Sequence, residues 1–252
     1  MKKLLTLVMA VVLMLSISVV ASAADATELY DFSALSGESK ATETAGWWVP
    51  DAANDHTLSF ADGKVSFGTD AAGRWSAFPS FDETAQTATK GAAGWGIYVK
   101  GAADGPQSVA LSFNGVDTKN YIMAVGEQYA LVDMDGNVVN EDTVETPFGA
   151  QGGVVIPADF EGYVYIPFGM YFLNGGTDAF DAAGGVATPI YALGVEVVDL
   201  TIGEFFAWSG ELPQESADNN DDEQESTADV SVIAYAAAAI AGLGALVVAK
   251  KR

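Results

Sequence analysis

The sequence predicts an all-β fold: an antiparallel β-sandwich, jelly-roll-like, set between two terminal addressing segments. Three observations predict it. Apolar residues come in short runs broken by Gly, Asp, Asn and Pro every 8 to 15 residues. Several runs alternate with a period of two, as in Trp95-Gly96-Ile97-Tyr98-Val99 and Val109-Ala110-Leu111-Ser112-Phe113. No amphipathic helical pattern of ten residues or more interrupts them. Many short strands at this spacing fit a sandwich.

The elements follow in chain order. Met1-Lys2-Lys3 is a basic start, Leu4 to Val20 is apolar, and Ala21-Ser22-Ala23 is a small-residue cleavage site, so residues 1–24 read as an export signal. Candidate strands are Glu28–Ser33, Thr57–Phe60, Lys64–Gly68, Trp75–Phe78, Gly94–Lys100, Ser108–Asn114, Tyr121–Val125, Tyr129–Met134, Asn137–Val139, Gly153–Ile156, Gly162–Pro167, Ala192–Val198 and Ile202–Trp208. Asp62-Gly63 and Asp135-Gly136 are hairpin signals, since Asp-Gly supplies the positive φ angles of tight turns. Asp82 to Ala93 is expected to hold a short helix or a loop. Residues 25–210 thus form one domain, large enough to bury its own core.

The remainder changes character. Residues 211–229 carry eight acids and no cation, so they read as a disordered acidic spacer. Residues 230–249 are 20 residues without a charge, about 30 Å as a helix, which is the thickness of a hydrocarbon core. Lys250-Lys251-Arg252 is a basic stop that belongs on the cytoplasmic side. The chain is therefore expected at the cell surface, anchored through a transmembrane helix.

Composition excludes several functions. The formal net charge is −23, and residues 25–210 hold 26 acids against six cations. Such a surface repels phosphate backbones, so nucleic acid is not a partner. There is no cysteine, and an exported domain must stand without disulfides. His56 is the only histidine and sits in a predicted loop without a nucleophile elbow, so it is read as an exposed loop residue, not a catalytic one. A histidine-based zinc site is excluded on the same count.

Three chemistries remain. Glu161, Glu196, Asp199 and Glu204 lie near strands and are the candidates for a glycosidase pair, which needs two carboxylates across a cleft. Asp133-Met134-Asp135-Gly136-Asn137 begins like a calcium loop, but its twelfth position is Val144 and not Glu, so a hairpin turn is the favoured reading. Aromatic rings are the best ligand clue. Trp95 and Trp208 fall inside strands and read as packing. Trp47, Trp48, Trp75 and Tyr121 are the ligand-binding candidates. Adjacent residues of an extended chain face opposite ways, so one of Trp47 and Trp48 is expected inside and the other outside.

Three stretches carry a resemblance: Gly94-Trp95-Gly96-Ile97-Tyr98-Val99-Lys100, Tyr129 to Val139, and Val155 to Phe168. With Leu29-Tyr30-Asp31-Phe32 at the start and Leu193 to Phe206 at the end, their order resembles the galactose-binding-like, carbohydrate-binding jelly rolls of Gram-positive surface proteins. That resemblance implies a non-catalytic glycan or polysaccharide binder. It also implies a structural calcium held between first and last strands, for which Asp31 and Asp199 are the matching positions. The tail, Ser226-Thr227-Ala228-Asp229 with its apolar span and cations, resembles a cell-wall sorting signal, although Ala228 replaces the usual Gly and the Pro is missing. Sortase transfer and simple membrane anchoring both stay open. The alternative function is a structural or adhesion domain for protein partners, with a hydrolase third.

Overall fold

The computed structural model describes residues 26–146, 149–193 and 199–215. The signal segment, the residues from 216 onward with the apolar span, the sorting-like Ser226–Asp229 and Glu196 lie outside the described residues. Among the described residues no helix is long and apolar enough to cross a membrane.

Sixteen strands are described: β1 Thr27–Tyr30, β2 Gly37–Lys40, β3 Thr57–Ala61, β4 Lys64–Phe67, β5 Trp75–Ala77, β6 Gly94–Lys100, β7 Gln107–Gly115, β8 Asn120–Met123, β9 Gln128–Asp133, β10 Val138–Asp142, β11 Val144–Thr146, β12 Gly149–Ile156, β13 Glu161–Pro167, β14 Tyr171–Leu173, β15 Val186–Leu193 and β16 Thr201–Trp208. One six-residue helix, α1, spans Glu83–Ala88. All described pairings are antiparallel. The first sheet runs β10-β9-β13-β6-β16-β4-β3-β2, with β1 also on β16. The second runs β11-β12-β7-β15-β5, with β8 on β7 and β14 on β8.

The alternation explains why the sheets face one another. On β6, Trp95, Ile97 and Val99 point inward and are buried. On β7, Val109, Leu111 and Phe113 do the same from the other sheet. They meet in one core with Phe32, Trp47, Phe67, Phe78, Met123 and Phe205. Trp95 is the link between the layers. Its indole stacks on Phe205 of its own sheet at 5.8 Å and packs edge-on to Phe113 opposite at 5.6 Å. Its Nε1 donates to Tyr171 Oη (3.0 Å), which in turn donates to the Leu111 carbonyl (3.2 Å).

The outer face of the first sheet carries a second apolar cluster: Ala130, Val132, Tyr165, Phe206 and Trp208. Trp208 is therefore packing, as expected, but outside the main core. The glycines of Gly94-Trp95-Gly96 make its room. A Cβ on Gly96 would stand 2.1 Å from the Phe206 ring, and one on Gly94 2.2 Å from the Ile166 carbonyl oxygen. Leu212 packs on this cluster, and Asn140 holds the chain there, donating to the Pro213 carbonyl and accepting from the Glu215 amide (both 2.8 Å). Residues 211–215, where the acidic spacer is expected to begin, thus have an apolar foothold through Leu212 and Pro213.

Both hairpin signals form turns. Asp62 and Gly63 have φ of 52° and 71°, joining β3 to β4. Asp133 closes the β9–β10 turn, its carboxylate accepting from the amides of Asp135 and Asn137 and from Asn137 Nδ2. Those bonds, the Asn137 side chain first, hold the carboxyl below the ordinary aspartate range. Strands β2, β11 and β14 escape sequence reading because Gly-Glu-Ser-Lys, Val-Glu-Thr and Tyr-Phe-Leu are too short to show a period. Strand β15 starts earlier than expected, because Pro189 within it argues against a strand in sequence. Its carbonyl still accepts from the Phe78 amide at 3.2 Å.

His56 is a correction. It is wholly buried, with Nδ1 2.7 Å from the Asn54 carbonyl and its ring beside Phe67. The three-residue turn Ala52–Asn54, capped by Asp51, folds the loop back and tucks the imidazole inward. Burial holds its pKa below the ordinary value, so the neutral ring is favoured.

Candidate functional site

The tryptophan candidates separate by position. Trp47 lies in the core against Phe78 (ring centroids 4.7 Å apart) and is 7% exposed, so it offers a ligand no face. Trp48 points the other way and is 52% exposed. Its amide and carbonyl bond the carbonyl and amide of Ala77, which adds Trp48 to the edge of the second sheet. Trp75 sits two residues from Ala77, so it shares that face. Their rings meet edge to face at 5.3 Å. Trp75 is fixed from behind by its amide, which donates to Asn54 Oδ1.

Tyr121 is the second correction. Alternation on β8 sends it inward, between Phe113 and Phe180, with its hydroxyl donating to Asp117 Oδ2 at 2.9 Å. Burial, then Asp117, pushes its pKa up. Its neighbour Asn120 is the residue that faces outward.

The register lays out the groove. Trp48 stands opposite Ala77, Ala77 opposite Ile190, and Ile190 opposite Ser112. One step along β7, Asn114 stands opposite Asn120. Asn174, just past β14, bonds Asn120 through its backbone amide. Trp48, Trp75, Ile190 and Ser112 line a cavity of about 350 Å³ together with the three asparagines and Gln151. From Trp48 to Asn174 the groove crosses five strand spacings, about 24 Å at ~4.8 Å each. No lining residue is ionisable. The floor is amide and hydroxyl, and the wall at one end is indole.

Of the residues lining this groove, sequence reading names Trp48 and Trp75 as candidates and does not name Ser112, Asn114, Asn120, Gln151 or Asn174. A signal was present. Ser112 and Asn114 are the polar half of an alternating strand, and polar outward residues that are not charged mark an unusual face for so acidic a chain.

The carboxylate candidates lie elsewhere. Glu161 and Glu204 line a second cavity, of about 370 Å³, on the outer face of the first sheet, with Glu28, Asp31, Asp62, Lys64, Tyr98 and Tyr163. Tyr98 and Lys100 both bond Glu161 (2.7 and 3.0 Å), and Tyr163 bonds Glu204 (3.0 Å). The Tyr98 and Lys100 bonds hold the Glu161 carboxyl below the ordinary range, so it stays ionised and does not serve as a proton donor near neutral pH. Asp31 accepts from Ser33. Asp199 is at the far end of β16, where its amide bonds the Phe67 carbonyl, and is not part of this cavity. Antiparallel pairing leads β1 toward the start of β16, but Asp31 lies beside Glu204, five residues along the chain from Asp199, and only Asp31 and Glu204 share this cavity. Among the described residues no three carboxylate or histidine groups stand close enough to hold a metal.

Glu28 is the exception among these acids. Burial first, then Asp31 and Glu204, hold its carboxyl above the ordinary value of 4.5. The folded state therefore resists its ionisation. Above the raised pKa that penalty is complete; below 4.5 both folded and unfolded chains are protonated and it vanishes. Glu28 is exposed, so solvent screens much of this penalty, and Glu28→Gln is expected to raise the melting temperature at pH 7 by only about 1 °C, with the gain disappearing below pH 4.5. Thermal unfolding across pH 4 to 7 measures it, and an unchanged or lowered midpoint at pH 7 contradicts it.

Comparison with known proteins yields no matching family model and no matching curated relative. Among solved structures, the chain is similar to one titled as the solution structure, dynamics and binding studies of CtCBM11, at 10% identity and a TM-score of 0.38, over 77% of this chain and 99% of that one. It is similar also to the family 11 carbohydrate-binding module of a cellulosomal cellulase of Clostridium thermocellum, at 9% identity and a TM-score of 0.34, over 75% and 96%.

Proposed function

We propose that the chain is a non-catalytic binder of uncharged glycans, exported and held at the cell surface by its C-terminal segment. One observation carries the binding: an exposed indole pair borders a groove floored by Ser112, Asn114, Asn120, Gln151 and Asn174, with no ionisable group in its lining. Flat aromatic faces match the C–H faces of sugar rings, and neutral amides both donate to and accept from hydroxyls. A lining without charge, on a domain with 26 acids against six cations, favours neutral polysaccharides and repels uronic or sulfated ones. The export signal at residues 1–24 and the span with basic stop at 230–252 support the location, as membrane anchor or as sortase substrate.

Affinity electrophoresis through gels holding neutral or acidic polysaccharides tests this reading. Retardation by at least one neutral polysaccharide and by no acidic one is expected. Unchanged mobility in every gel, or retardation only by acidic polymers, contradicts it.

A further inference from the structure

The groove floor carries a chain of three amides. Asn174 Nδ2 donates to Asn120 Oδ1 at 3.0 Å, and Asn120 Nδ2 donates to Asn114 Oδ1 at 3.3 Å. Asn120 Nδ2 also donates to the Phe113 carbonyl at 3.3 Å. A backbone carbonyl only accepts, so it fixes which end of the Asn120 amide faces β7. The two neighbours follow in turn. Two atoms are left over with no partner: Asn114 Nδ2, a donor, on the side toward the tryptophans, and Asn174 Oδ1, an acceptor, at the far end. A second unpartnered donor is Gln151 Nε2, nine-tenths buried on β12, which pairs with the same edge of β7 as Asn120, across β7 from the tryptophans. Continuing the β12–β7 register from Val154 opposite Val109 places Gln151 level with Ser112, next to Asn114.

We infer that this amide relay gives the groove a direction, so that a neutral glycan chain binds in one orientation only. The inference rests on the glycan reading above and adds to it the residues that set polarity: Asn114, Asn120, Asn174 and Gln151. Ring and glycosidic oxygens of a sugar chain accept and never donate, whereas hydroxyls do both. Near Asn114 and Gln151 the chain must present acceptors. At Asn174 Oδ1 it must present a hydroxyl that donates. A reversed chain sets ring or glycosidic oxygens against Asn174 Oδ1 and leaves the buried Gln151 donor and the half-buried Asn114 donor empty, which is costly. Asn120 acts through its two neighbours and is a positioning residue.

The test uses the full chain, labelled with nitrogen-15, and hexasaccharides of β-1,4-linked glucose, xylose and mannose carrying a nitroxide at the reducing end. For a hexasaccharide that binds, the spin label is expected to broaden either the Trp48 and Trp75 indole signals or the Asn174 side-chain amide, at least threefold more than the other end. Asn120→Asp keeps the shape but replaces the nitrogen facing the Phe113 carbonyl by oxygen. It is expected to weaken binding about tenfold and to even out the broadening, with the fold retained by its amide spectrum. Equal broadening at both ends in the parent chain overturns the direction while leaving glycan binding in place. One-sided broadening that survives unchanged in Asn120→Asp overturns the role of the relay. Binding by none of the hexasaccharides overturns the direction, and when joined by a failed gel assay it overturns the glycan reading also.

Discussion

Trp95→Ala is expected to destabilise the domain by about 3–5 kcal/mol, the range for removing a large aromatic from a packed core. For a domain of this size that is a fall in melting temperature of about 6–20 °C. The reason is position as well as size. Trp95 is wholly buried and touches Phe113, Tyr171 and Phe205, so it is shared by both sheets. Its removal leaves a cavity between the layers and takes the donor away from Tyr171, whose hydroxyl is completely enclosed. Burial already pushes the Tyr171 pKa far above its ordinary value, so ionisation cannot relieve the lost contact. Trp95→Phe isolates the polar part. It keeps most of the ring contact and loses the hydrogen bond, and it should cost about 1–2 kcal/mol beyond the volume lost. Chemical denaturation with both variants separates the two effects. A Trp95→Ala domain within 1 kcal/mol of the parent contradicts the shared-core account.

The second large effect concerns binding. Replacing Trp48 and Trp75 together by alanine is expected to weaken retention on a neutral polysaccharide at least 100-fold. Central aromatic anchors of binding sites typically contribute 2 kcal/mol or more each, a factor of about 30. Trp48 is the cleaner single variant. It is more than half exposed and makes its sheet contacts through its backbone, so Trp48→Ala should shift stability by no more than about 0.5 kcal/mol. Trp75 is half-buried, and its loss should cost about 1 kcal/mol of stability as well as affinity. Trp47→Ala supplies the contrast. It empties a core position beside Phe32, Phe60 and Phe78 and should destabilise strongly. A Trp48→Ala domain with full retention and parental stability contradicts the groove as the site.

The strands were legible because both faces of each sheet impose a period of two, and the core side of that period is almost wholly apolar. Gly94-Trp95-Gly96-Ile97 shows the limit of such reading. The pattern marks a strand, but only the structure shows that the glycines admit Phe206 and Trp208 on the outer face. The tryptophan pair is a similar case. Alternation predicts that Trp47 and Trp48 face opposite ways without saying which is inside. That depends on Ala77 offering Trp48 an edge to pair with. Tyr121 reads as a ligand-binding candidate because nothing local tells it from Asn120 as the outward residue, whereas Phe180, 59 positions away in sequence, packs against its ring on the core side. His56 was misplaced for the same reason: the Asp51 cap that turns its loop is local, but the pocket beside Phe67 is not. The amides of the groove come from β7, β8, β12 and the end of β14, and no local pattern joins Asn114 to Asn174. What was legible was the face; what was hidden was the assembly of that face from distant strands.

The most direct measurement is a nitrogen-15 titration of the chain with unlabelled neutral hexasaccharides, following backbone and side-chain N–H signals. Binding in the groove should shift the Trp48 and Trp75 indole signals and the amide groups of Asn114, Asn120, Asn174 and Gln151, while Trp95 and Trp208, enclosed on the other sheet, stay in place. Shifts gathered instead around Tyr98, Tyr163 and Glu204, with the Trp48 and Trp75 signals unmoved, would contradict the account.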